Sequence, residues 1–238
     1  MSDGGVAVSP ATSSPAVWAL PVPDYLEKNY WWAYVRPKAV WVFDRQWLVN
    51  LILFGNAERL IDSALEALGP SIPGRTLQIA CVYGNFSTRL AERIAPGGSL
   101  DIVDVLDVQL NNVKRKMPPG APVRTIQRDS TALQFESASY DQVVLFFLLH
   151  EQPDEVRQQT IREALRVVKP GGKLVFVDYH HPKWWHPLRF ILPPALRLLE
   201  PFALGLWKRP IDQRLPDGLT LRCDPIDGGL YQRVVVKV

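Results

Sequence analysis

Four acidic or imidazole side chains and one glycine stand at spacings that suit a nucleotide-like ligand. Gly84 sits in Ala80-Cys81-Val82-Tyr83-Gly84-Asn85-Phe86-Ser87, between an apolar stretch (76–81) and an amphipathic one (87–94). A strand that runs through such a loop into a helix lets backbone approach a nucleotide-like ligand. Asp104 follows Gly84 by 20 residues, at the end of the next apolar stretch. A carboxylate there can accept hydrogen bonds from both hydroxyls of a ribose. Asp129-Ser130, after a third stretch, suits the edge of a base. The candidate binding residues are therefore Ala80, Val82, Tyr83, Gly84, Asp104, Val105, Asp129 and Ser130. His150 and Asp178 close two later apolar runs and are candidates for proton transfer. Tyr83 is a weaker candidate, as a proton donor or ring contact. His150 can equally be a packed structural residue.

These residues need a frame that brings strand ends together. Apolar strands are expected at 76–81, 100–105, 123–127, 142–149 and 173–178, with a closing strand at 229–238. Helices are expected at 57–68, 87–94, 108–117 and 153–168, the first stopped by Gly69. Val143 to Leu149 is continuously apolar, as in a strand buried on both faces of a parallel sheet. Pro153, Asp154 and Glu155 suit a helix start, and Lys169-Pro170-Gly171-Gly172 a tight turn. The alternation of these six strands predicts an α/β chain with a doubly wound, mostly parallel sheet. Ligands bind such sheets at the carboxyl ends of the strands, which is where Tyr83, Asp104, Asp129, His150 and Asp178 fall.

The 238 residues suffice for one sizeable core. We expect one domain over 24–238 and a mobile Ser/Ala/Val/Pro tail over 1–23. A net charge of +3 implies no nucleic-acid partner. Cys81 and Cys223 have neither zinc nor disulfide-framework spacing, which suits a reducing, intracellular setting. No signal peptide is expected, and no apolar run reaches the roughly 18–20 residues of a membrane span.

From about Ile72 to Asp178 the chain resembles class I S-adenosylmethionine-dependent methyltransferases, a resemblance that implies a seven-stranded sheet. The stretch from Leu148-Leu149-His150-Glu151-Gln152-Pro153-Asp154-Glu155-Val156-Arg157 to Leu165-Arg166-Val167-Val168-Lys169-Pro170-Gly171-Gly172 is similar to the branch that methylates ubiquinone and menaquinone precursors. That family usually carries an acid and three alternating glycines in its first loop. Here Gln78, Ala80 and Val82 replace the acid and the first two glycines, and only Gly84 remains. Two readings follow: a decayed loop in a non-catalytic member of the fold, or a cofactor held in another pose for another reaction. With its aromatic N-terminal segment and Trp-rich later segment, the chain resembles the rhodoquinone-biosynthesis proteins called RquA over nearly its whole length. That resemblance implies conversion of ubiquinone to rhodoquinone, a ring methoxy group being exchanged for an amino group. It also implies S-adenosylmethionine as the amino donor and a need for manganese. His150, Asp178 and His181 are then the candidate metal ligands, since manganese accepts carboxylate and imidazole.

Seven of the 8 Trp fall in two segments, 24–56 and 182–210. The later one adds Lys183, Arg189, Arg197, Lys208 and Arg209. Aromatic and basic residues suit the headgroup level of an anionic bilayer, so we expect peripheral association with the cytoplasmic side of a membrane. A lid over the site, or a dimer contact, would use the same residues. The oligomeric state is open. An ordinary quinone-ring methyltransferase and a membrane-bound organiser of quinone synthesis are the alternative functions.

Overall fold

The structure is a computed structural model that describes residues 20–35 and 37–238. The tail expected over 1–23 therefore lies outside the described residues as far as residue 19. Residues 20–23 carry neither helix nor strand.

Strands β1 (Arg75–Ile79), β2 (Ser99–Asp104), β3 (Val123–Gln127), β4 (Tyr140–Phe146), β5 (Val168–Tyr179), β6 (Thr220–Ile226) and β7 (Tyr231–Lys237) form one sheet. Its order is β3-β2-β1-β4-β5-β7-β6. The first five strands pair in parallel, and β7 runs antiparallel to both β5 and β6. The strand order reverses between β1 and β4, which opens a crevice at their carboxyl ends.

Helices cover both faces. On one side α4 (Ala57–Leu68) buries Ala57, Leu60, Ile61, Ala64, Leu65 and Leu68, the stripe expected of an amphipathic helix. With α5 (Phe86–Glu92) it packs on Val144, Phe146, Val175 and Val177. On the other side α7 (Asp154–Val167) packs Ile161 and Ala164 on Val143, Leu145 and Leu174. Successive residues of β4 thus feed opposite cores, which explains its unbroken apolar run. Helix α6 (Asp107–Lys116) flanks β2 and β3.

Three expectations change. The strand expected to reach residue 149 stops at Phe146, and Phe147 turns with φ 52°. The amides of Leu149 and His150 then bond a side chain, Asp178, instead of a neighbouring strand. The turn at 169–172 is an irregular start to β5, with a register shift against β4 and φ 78° at Gly171. Strand β6 is an addition to the reading. It is an exposed edge strand whose Arg222, Asp224 and Pro225 hide any alternating apolar signal.

The aromatic segments are helical. Residues 24–56 form α1 (Asp24–Tyr30), a π-turn (Trp31–Val35), α2 (Pro37–Phe43) and α3 (Gln46–Ile52). Residues 182–210 contain α8 (Leu188–Leu199), with Pro193 and Pro194 inside it, and α9 (Leu204–Lys208). Among the described residues no helix is long and apolar enough to cross a membrane.

Candidate active site

The loop after β1 decides what the crevice can hold. Ala80 adopts φ 70°, a left-handed backbone uncommon for a residue with a side chain. Its amide bonds the Val103 carbonyl at 2.8 Å, so the turn is pinned to β2. Gln78, buried beneath it, donates through Nε2 to the Ala80 carbonyl (2.9 Å) and to Ser87 Oγ (2.8 Å) at the start of α5. A carboxylate at 78 could accept from the Ser87 hydroxyl but has no hydrogen to give the Ala80 carbonyl, so the amide is matched to that contact.

The N-terminal segment closes the other side of the loop. Tyr83 Oη donates to the Ala33 carbonyl at 2.6 Å and accepts from Gln109 Nε2 at 3.0 Å. Its ring stacks on Phe43 at 6.1 Å. The Gly84 amide donates to Asp44 Oδ1 at 3.0 Å, and Lys116 Nζ bonds both Asp44 and the Gly84 carbonyl. Gly84 is required here, because its φ is 83° and a Cβ would stand 2.7 Å from Gln46 Oε1.

A partly open cleft lies beside this loop, at the carboxyl ends of the strands where such sheets bind ligands. Ala80, Asp104, Val105, Asp129 and Ser130 line it. Val82, Tyr83 and Gly84 are not among its lining residues. The Tyr83 hydroxyl bonds the N-terminal segment, and burial pushes its pKa up. The sequence reading missed Cys81, Arg128, Phe147, Glu151 and Gln152, and also Pro23, Tyr25 and Leu26, which cap the cleft from α1 and the residue before it. The aromatic density of 24–56 was the available signal for that cap.

Asp104 is the cleft's buried carboxylate. It accepts from the Cys81 amide (2.7 Å) and the Leu106 amide (2.8 Å). Burial pushes its pKa up to about 6 even though these amides pull it down. On the same wall Arg128 Nε is buried without a partner, a polar group that a polar ligand would satisfy.

Behind the cleft, Asp178 at the end of β5 gathers four donors. Oδ1 takes His150 Nδ1 (2.9 Å) and the Tyr179 amide (2.7 Å). Oδ2 takes the amides of Leu149 (2.8 Å) and His150 (3.3 Å). The His150 ring also stands edge-on to Phe147 and Tyr179. Burial pulls its pKa down, but Asp178, then Glu200 and Glu151, outweigh that and push it up to about 9. Glu151, which lines the cleft, lies 3.8 Å from His150 Nε2. Glu200, at the end of α8, is the unforeseen member of this group, and burial pushes its carboxyl pKa up against the pull of His150. Arg157 fixes the same turn from below. It bonds the carbonyls of Leu149, Gln152 and Phe202, and burial, then Arg214, lowers its pKa to about 10.

The metal assignment does not fit this arrangement. Both Asp178 oxygens are committed to N–H donors, and the His181 ring packs on Trp207 at 5.4 Å. Among the described residues no group of three or more His, Cys, Asp or Glu could hold a metal ion.

Residues 76–172 match a family model described as a methyltransferase domain. A curated relative, the demethylmenaquinone methyltransferase of Lactococcus lactis subsp. lactis, is 31% identical over 108 residues, covering 44% of this chain and 42% of its own length. The chain spans about half the length of the curated relatives it matches. Among solved structures, an S-adenosylmethionine-dependent methyltransferase from Aquifex aeolicus superposes with a TM-score of 0.55 at 16% identity, over 84% of this chain and 97% of that one. The [4+2]-cyclase SpnF superposes with a TM-score of 0.61 at 15% identity, over 86% and 97%. The fold around the methyltransferase domain is therefore the Rossmann-like one of class I methyltransferases.

Two outcomes test the site. Gln78→Glu, which restores the acid usual in the family the chain resembles, is expected to cost about 1–3 kcal/mol by urea denaturation, because it sets a buried carboxylate against the Ala80 carbonyl. An unchanged midpoint would mean that the loop does not depend on the amide. NMR titration should find His150 protonated at neutral pH, with Asp178→Asn moving its titration downward. The raised value means that the imidazolium stabilises the fold fully below about pH 6.5, and that this contribution is lost as pH rises through about 9.

Proposed function

We propose that the protein is an S-adenosylmethionine-dependent transferase acting on the ring of a lipid quinone. The observation that carries this reading is the buried Asp104 carboxylate, held by two amides at the end of β2 and facing a cleft at the switch point of the sheet. Asp104 would take the ribose hydroxyls, and Asp129 and Ser130 would meet the base. Bound S-adenosylmethionine supplies either an electrophilic methyl group or a nucleophilic amine. The quinone acceptor is supported by the relatives, which are named for demethylmenaquinone methylation, and by the resemblance of residues 148–172 to quinone-ring methyltransferases.

Within that class the finer reading is exchange of a ring methoxy group for an amine, as in rhodoquinone formation. It is supported by the loop after β1. The Gln78 amide nitrogen, Tyr83 and Gly84 are each hydrogen-bonded there, which favours a rebuilt loop over a decayed one. Methoxy exchange needs a base for the incoming ammonium proton and an acid for the departing methoxide. A protonated His150 beside Glu151 suits the return of that proton to the cleft. The names of the curated relatives favour a second reading, ordinary ring methylation. The SpnF cyclase on the same fold shows that the scaffold does not fix the reaction.

The reaction is tested by mass spectrometry of ubiquinone incubated with the protein, manganese and S-adenosylmethionine labelled on its amine nitrogen. A labelled aminoquinone lacking one methoxy group supports amino exchange. An added, unlabelled methyl supports the second reading, and neither product together with no cofactor binding removes both. Calorimetry should also find that S-adenosylmethionine affinity falls below about pH 6, by roughly tenfold per pH unit, as Asp104 takes up a proton. A flat profile would remove Asp104 as the ribose acceptor.

A further inference from the structure

Helix α8 is apolar on two sides. Leu192 and Leu196 face the core, while the opposite side leaves Leu198 82%, Phe190 73% and Ile191 64% exposed. A helix that is hydrophobic all round needs a second apolar environment. Just before it, Trp184 is 78% and Trp185 55% exposed. The end of α3 adds Leu51, Ile52 and Phe54, all exposed.

These two segments are 130 residues apart in the chain and meet at one carboxylate. Asp227 Oδ2 accepts from Asn56 Nδ2 at 3.1 Å and lies 3.6 Å from His186 Nε2. The Trp185 ring lies against Gly228, where a Cβ would come within 2.8 Å of it and where φ is 58°. Asp227 and Gly228 thus join the exposed residues after α3 to those before α8 in one surface.

We propose that this surface docks on an anionic lipid bilayer. Its charges are basic apart from Asp227, which is engaged by Asn56 and His186. Residues 183–199 contain Lys183, Arg189 and Arg197 but no acid, and residues 45–55 contain Arg45 and no acid. Glu200, the next acid, is turned inward. A two-fold contact with a second copy would bring these cations together with only the already engaged Asp227 among them, whereas anionic headgroups neutralise them. At 12 residues α8 is about 18 Å long, too short for a hydrocarbon core of about 30 Å, so it lies in the interface plane.

The full chain is mixed with vesicles of phosphatidylcholine, alone or with phosphatidylglycerol, without cofactor or quinone, and sedimented. Success or failure here is thereby independent of the transferase reading. The expected result is co-sedimentation with the phosphatidylglycerol vesicles, weakened by salt, and a loss of about tenfold or more in the Ile191→Glu/Leu198→Glu variant at unchanged melting temperature. A wild-type chain that stays in the supernatant, equal binding to both vesicle types, or a variant that binds as wild type overturns the proposal. So does a lipid-free dimer, seen by sedimentation velocity, that the variant converts to monomer.

Discussion

The four hydrogen bonds converging on Asp178 are the constraint on which the rest of the site depends. A buried carboxylate is costly unless its oxygens are matched by donors. Here the matching is supplied by the backbone of the turn after β4 and by the His150 ring. Meeting that demand stops β4 at Phe146, forces the left-handed Phe147 and bends the chain so that Phe147, Leu148, Glu151 and Gln152 form one wall of the cleft. The same carboxylate holds His150 protonated. Electrostatic satisfaction of one side chain thus sets both the shape and the proton inventory of this edge of the sheet.

The opposite wall follows a different rule. A glycine-rich loop lets a ligand approach because it carries no side chains. This loop carries them: Ala80 and Cys81 line the cleft, while Tyr83 bonds the N-terminal segment. Tyr83 is held by the Ala33 carbonyl and the Phe43 ring, and Gly84 by Asp44 and Lys116. The N-terminal helices are therefore part of the loop's hydrogen bonding and not an appended lid. Sequence changes in the loop and in residues 24–56 are coupled through these contacts.

Much of the sheet was legible because its signals are local. The unbroken Val143–Leu149 run, the stripe of α4 and the acid after β2 each reflect one strand or one helix turn, so periodicity reports them. Asp104, Asp129 and Ser130 were readable as cleft residues because strand ends in this topology converge. Strand β6 was not legible, since it is exposed along nearly its whole length and has no buried face to impose alternation. Nor was the cleft role of Glu151 and Gln152, or the inward turn of Glu200, since each depends on where a distant segment comes to rest.

The amino-acid sequence by itself determined the doubly wound frame, the carboxylates at its strand ends and the gathering of aromatic and basic residues into two segments. Each is a statement about neighbours within a few residues, where backbone periodicity governs. The tertiary structure alone decided that Tyr83 bonds the N-terminal segment, that Asp178 is saturated by N–H donors and not left open to a metal, and that the segments after α3 and before α8 meet at Asp227. The physical reason is that hydrogen bonds and burial of this kind join residues tens to more than a hundred positions apart, and a chain carries no local record of which partners its folding will bring within reach.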